Sequence, residues 1–262
     1  MKAIILAAGQ GTRLKKYTKD LPKGMLPFAG KTIIERQIEL YRKNGFSKII
    51  IVRGFAADKI NYPGVRYYTN DRYAETNMVE SLMAAKKEFD DDVIVSYADI
   101  LFEESLLKGM MEAGDDFAAA VDDDWKTYWQ MRYGRTEFDT ESLSIDESDR
   151  ITELGLSTTD MEKVDARYIG LLKFSQIGLK KLAAIMEDAY RYYENQPWQQ
   201  SGETVRNAYL TDLLNAVIQS GETVRAVHFH NGWIEFDTNE DYENALNRFE
   251  NGELKRIINI QG

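Results

Sequence analysis

Short apolar runs alternate with helical stretches along this chain, and that order restricts its fold more than any other feature. Residues 3–8 form a continuous apolar run, the pattern of a strand buried on both faces of a parallel sheet. Residues 31–44 read as a helix: Thr32 and Glu35 have capping-box spacing, Ile34, Ile38 and Tyr41 share one face, and Gly45 supplies the stop. Strands are predicted at 49–52, 65–69, 93–97 and 117–121, with helices at 77–89 and 105–113. Strands linked through helices make βαβ units, so the expected class is α/β with a doubly wound, mostly parallel sheet. Residues 122–165 break the rhythm; rich in Asp, Glu, Ser and Thr, they predict a small β-containing insertion or lid. Strands at 166–174, 224–229 and 233–236 and helices at 177–195, 208–219 and 240–249 complete the chain.

A length of 262 residues suits one such domain, 1–262, with 122–165 as an insertion or lobe on it. The net charge of -10 argues against binding nucleic acid or an anionic membrane through bulk charge. Residues 1–23 depart from that mean, with Lys2, Arg13, Lys15, Lys16, Lys19 and Lys23 against Asp20 alone, a balance that draws an anionic ligand. Without cysteine there is no disulfide framework and no thiolate metal site. The apolar start is too short to span a bilayer and runs into a basic stretch where a cleavage site would lie, so a cytoplasmic protein is expected. Nothing in the sequence specifies an oligomeric state.

The first turn carries the strongest chemical signal. Leu6-Ala7-Ala8-Gly9-Gln10-Gly11-Thr12-Arg13-Leu14 leaves the first strand, and Pro22-Lys23-Gly24 follows. Glycines there let backbone amides approach and cradle phosphate oxygens. Arg13 can bridge two phosphates with its planar fork, while Lys23, read as an exposed loop residue, supplies a compact mobile charge. A lone G-x-G also makes a simple tight turn, and this one is neither a Walker loop nor a complete G-x-G-x-x-G.

Taken with Pro22-Lys23 and Gly30-Lys31…Ile34-Glu35, the stretch resembles the signature of the sugar-phosphate-type nucleotidyltransferases. The resemblance implies a Rossmann-like domain of the nucleotide-diphospho-sugar transferase type. It also implies that Leu6, Ala8, Gly9, Gly11, Thr12 and Arg13 hold the nucleotide, and that Arg13 and Lys23 act on the phosphates in flight. Transfer at an α-phosphorus brings two anions together, so charge neutralisation and alignment are the main tasks. Asp99 follows the predicted strand 93–97 and Asp237 follows 233–236, the ends where open α/β sheets bind ligands. Either aspartate can equally be a turn former or helix cap, Asp237 before Thr238 especially. The resemblance implies that the two hold Mg²⁺.

Asn70 to Leu82 looks like the corresponding segment of phosphocholine and related cytidylyltransferases, with Asn77 and Ser81 on one helix side; Thr76 or Asn77 can also simply cap that helix. For the acceptor, Asp122, Trp125 and Trp129 suit an ammonium group, Arg132 an anion, and Tyr168 and Lys23 lie in matching segments. The alternative is a solvated acidic loop with its aromatics packed beneath. The resemblance implies a cytidylyltransferase taking CTP and a small phosphorylated or phosphonylated metabolite, such as a phosphonate, a phosphocholine-like compound or a phospho-amino acid. The competing readings are a sugar-1-phosphate uridylyl- or thymidylyltransferase and a non-catalytic nucleotide-binding subunit.

Overall fold

The apolar run that begins the chain becomes β1 (Lys2–Ala7), buried along its whole length inside a nine-stranded sheet. The computed structural model describes residues 1–260. In chain order there follow α1 (Lys15–Thr18), β2 (Pro27–Phe28), β3 (Lys31–Thr32), α2 (Ile33–Lys43), β4 (Ile49–Arg53), β5 (Arg66–Thr69) and α3 (Met78–Ala84). Next come β6 (Val93–Tyr97), β7 (Ile100–Phe102), α4 (Glu104–Glu112), β8 (Phe117–Asp122), α5 (Trp125–Tyr133), β9 (Glu141–Ile145) and β10 (Arg150–Ser157). The rest is β11 (Arg167–Phe174), α6 (Gln176–Tyr193), α7 (Leu210–Gln219), β12 (Val224–Phe229), β13 (Trp233–Glu235) and α8 (Asn239–Glu250).

The main sheet runs β5-β4-β1-β6-β11-β8-β12-β10-β9. Only β11 and β10 oppose the other strands, which makes the sheet mostly parallel, as the alternation requires. Side chains of β1 alternate between two cores: Ala3 and Ile5 meet Ile34, Ile51 and Trp233 on one face, and Ile4 and Leu6 meet Leu82, Val95 and Leu213 on the other. Helices on both faces explain why these strands read as unbroken apolar runs. Among the described residues, no helix is long and apolar enough to cross a membrane.

The 122–165 segment holds β structure, but it also holds α5, and its hairpin joins the main sheet. β10 pairs with β12 at Arg150 and Ile151, while Gly155 lies against Thr211 of α7. Leu154 O accepts from Asn215 Nδ2 at 2.7 Å and Gln200 Nε2 at 2.8 Å. The helix predicted at 77–89 is shorter, α3 being followed by a 3-10 turn at Lys86–Glu88. The short β7 pairs with β13 in a separate ribbon that tethers the turn after β6 to the segment before α8.

At the amino ends of these strands Glu88 is a buried anion, its side chain 2% exposed, receiving Lys2 at 2.9 Å, Lys48 at 3.0 Å, Arg66 at 2.6 Å and the Tyr68 hydroxyl at 2.8 Å. Burial alone would favour its neutral form, yet these donors hold its pKa well below the usual carboxylate range. A depressed folded pKa gives stability that is complete above the unfolded value of about 4.3 and is lost as pH falls below it. Glu88→Gln should therefore lower stability by roughly 3 kcal/mol at pH 7 and flatten its fall between pH 4 and 2. Denaturant titrations of both proteins across that range check this; parallel curves would refute it.

Candidate active site

At the carboxyl end of β1 the chain turns through Gly9 and Gly11 beneath a cleft of about 220 Å³. Gly11 sits at φ 62°, in the left-handed region open to glycine at little strain. Its carbonyl accepts from Thr18 Oγ1 at 2.8 Å, and Ala8 O accepts from Phe55 N at 3.0 Å, so the loop is held from both sides. Gly24 allows the second strand of the cradle to approach: a Cβ there would meet Ile34 Cδ1 at 2.7 Å and Ala98 O at 2.8 Å.

Leu6, Ala8, Gly9, Gly11 and Arg13 line the cleft; Thr12 opens the adjoining 3-10 turn and is exposed. Asn77 and Ser81 line the opposite wall. Asn77 also caps α3, accepting from Met78 N at 2.9 Å, so its two readings coexist. Ser81 is buried and takes a hydrogen bond from Asn70 Nδ2 at 3.1 Å, which fixes both on that wall.

Across the mouth, Lys23 joins the two strand-end aspartates. Its ammonium lies 2.5 Å from Asp99 Oδ2 and 2.6 Å from Asp237 Oδ1. The side chain is 15% exposed, so it is not the free loop lysine expected. Burial works against its charge, but Asp99 and Asp237 outweigh that and raise its pKa. The turn bearing Asp99 is fixed by Gln37 of α2, whose Nε2 donates to Tyr97 O at 2.8 Å and Ile100 O at 2.7 Å while its Oε1 accepts from Ser96. The β7–β13 ribbon adds a bond from Phe236 N to Asp99 O at 3.1 Å, bringing the Asp237 segment alongside.

Asp237 is ringed by cations. Arg13 Nη2 lies 3.1 Å from Oδ1, and Arg132 Nη2 lies 3.2 Å from Oδ2. Burial would raise its pKa, but Lys23, Arg132 and Arg13 together hold it well below the usual carboxylate range. Arg132 grips Asp241 with two 2.8 Å bonds and also meets Glu235. Asp241 in turn caps α8, accepting from Asp237 N at 3.1 Å and Thr238 N at 2.8 Å.

The proposed acceptor residues separate. Trp125 and Trp129 are buried in the core beneath the cleft, and Asp122 is spent on Trp233 Nε1 at 2.8 Å and on the Asn231 and Asp124 amides. None of the three faces the cleft. The acids around them gave α5 the look of a solvated segment, whereas packing against Trp233 and Tyr128 closes the aromatic face. Arg132 braces Asp237 from behind, and Tyr168 stands next to the cleft, its hydroxyl 3.3 Å from that of Tyr97. Tyr73, within the Asn70–Leu82 segment, and Tyr97 also line the cleft; Tyr97 was not singled out in the sequence, since an aromatic at a strand end has no local pattern to mark it.

Comparison with known proteins agrees with this geometry. The CTP:phosphoglutamine cytidylyltransferase of Campylobacter jejuni subsp. jejuni serotype O:2 is 33% identical over 93% of this chain and 98% of its own. The 2-aminoethylphosphonate cytidylyltransferase of Lancefieldella rimae is 28% identical over 72% of this chain and 73% of its own. The solved CTP:phosphocholine cytidylyltransferase of Streptococcus pneumoniae shares the fold with a TM-score of 0.70, at 24% identity, over 95% of this chain and 98% of that one. Residues 3–150 match the MobA-like NTP transferase domain, and the chain belongs to that family of nucleotidyltransferases.

Proposed function

We propose that this enzyme transfers a cytidylyl group from CTP to a phosphate or phosphonate oxygen of a small metabolite, releasing pyrophosphate, with Mg²⁺ held by Asp99 and Asp237. The observation that carries this reading is the Lys23 ammonium between the two carboxylates at the mouth of the glycine-lined cleft. Those carboxylates already converge on one cation. Two carboxylates are a hard oxygen donor set, which suits Mg²⁺ with its remaining positions left to phosphate oxygens and water. Such an ion neutralises charge on the transferring phosphate when bound.

The chain's own groups do the rest. Amides around Gly9 and Gly11 and the Arg13 fork hold the triphosphate, and Asn77 and Ser81 meet the base. Lys23 moves from the carboxylates to the α-phosphate as charge develops there, an interaction stronger in the transition state than before it. Relatives named as cytidylyltransferases for phosphoglutamine and 2-aminoethylphosphonate support both CTP and a small acceptor.

Pyrophosphate release with CTP, UTP, dTTP and GTP against phosphomonoesters, phosphonates and hexose 1-phosphates tests the reading. CTP with a non-sugar acceptor is the expected pair; UTP or dTTP with a hexose phosphate would overturn it. Asp99→Asn should lower kcat at least 100-fold with fold retained, an order of magnitude typical for loss of one preorganised electrostatic group. Unchanged turnover would remove Asp99 from the metal site.

A further inference from the structure

Arg167 opens β11, opposite Asp122 of β8. Its guanidinium lies over the Trp129 ring, 4.4 Å from the centroid. Nε and Nη1 are buried and, among the described residues, have no hydrogen-bond partner and no carboxylate within ion-pair distance. An orphaned buried donor costs about 1–3 kcal/mol, more when charged, so a fork left open invites a partner that arrives with the substrate.

The neighbours are acids that do not close on it. Its charge is felt by Glu235, two residues before Asp237, and by Glu141 at the start of β9. Among the described residues Glu141 makes no side-chain hydrogen bond, and Tyr168, next to Arg167 in β11, has its hydroxyl 3.3 Å from that of Tyr97, which lines the cleft. A planar cation without partners, stacked on a fixed indole, can offer Nε and Nη2 side-on to the two oxygens of a carboxylate, as Arg132 does to Asp241.

We propose that Arg167 is a specificity-determining residue that binds a carboxylate carried by the acceptor away from its phosphate or phosphonate. This rests on the reading above, in which that phosphorus group lies at Lys23 and Asp237. Trp129, assigned to the acceptor from sequence, then acts from beneath, as the platform that orients the fork.

Matched acceptors that differ only by a carboxylate test it: O-phosphoserine against phosphoethanolamine, and 2-amino-4-phosphonobutyrate against 3-aminopropylphosphonate. Binding is followed by calorimetry with and without Mg²⁺ and α,β-methylene-CTP, and turnover by pyrophosphate release. The carboxylated member of at least one pair should bind about 10- to 100-fold tighter, with the gain in KM rather than kcat. Arg167→Gln should erase that advantage while leaving the other member unchanged, and Arg167→Lys should restore only part of it. Equal binding of both members, equal weakening of both by Arg167→Gln, or no binding of any member overturns the proposal. Carboxylate-dependent binding without cytidylyl transfer would instead refute the CTP reading and leave Arg167 its role; transfer without discrimination would do the reverse.

Discussion

Lys23→Ala should lower kcat by about 10³-fold, near the upper end of what one preorganised charge contributes to a developing anion. Among the described residues its ammonium is the one cation that contacts both Asp99 and Asp237, at 2.5 and 2.6 Å. Removing it leaves two carboxylates facing each other. Metal-free stability should fall by less than the 3–5 kcal/mol expected of a stranded buried charge, because Asp237 keeps Arg13 and Arg132. Added Mg²⁺ should then raise the thermal midpoint of the variant more than that of the parent, since it fills the place the lysine left. Steady-state kinetics and thermal melts with and without the ion check both parts; a kcat loss below tenfold would remove Lys23 from the reacting centre.

Arg132→Met should be the most destabilising single change at the site, by about 3–5 kcal/mol. The guanidinium is 3% exposed and answers three carboxylates, Glu235, Asp237 and Asp241. Methionine keeps much of the side-chain volume but strands Glu235 and Asp241, while Asp237 keeps Lys23 and Arg13. Loss of the grip on Asp241 also loosens the cap on which Asp237 N and Thr238 N depend, so activity should fall with stability. The pH signature has a definite sign. Asp237 has a depressed folded pKa, so its stabilisation is complete above the unfolded value of about 3.9 and vanishes as pH drops below it. In Arg132→Met that acid-dependent loss should shrink. A loss under about 1 kcal/mol at pH 7 by chemical denaturation would show the network to be dispensable.

What could be read ahead of the structure followed from local physics. The strand-glycine-arginine turn and the strand-end position of Asp99 each lie within one short segment, and the cleft forms where those segments lead. Lys23 was expected as an exposed phosphate contact and not as a buried ion-pair partner, because Asp237 lies far along the chain and is brought in only by the β7–β13 ribbon. The aromatics of α5 were assigned to the acceptor because Asp122, Asp123 and Asp124 beside them suggested an ammonium site; Trp233 and Tyr128 complete a core around them, the packed alternative. Glu141 carried no signal and Arg167 none beyond its place in the 166–174 strand, since single charges opening two different strands become neighbours only through sheet order.

The hairpin β9–β10 is clamped to β12 and to α7. The wall that faces the acceptor therefore shares its cooperative unit with the hydrophobic interior and does not swing as a separate flap. Selectivity in such a protein is written in side chains standing on an immobile backbone, so a new acceptor is reached by exchanging residues such as Glu141 or Arg167, and any change that slackens the strands beneath them weakens the whole molecule.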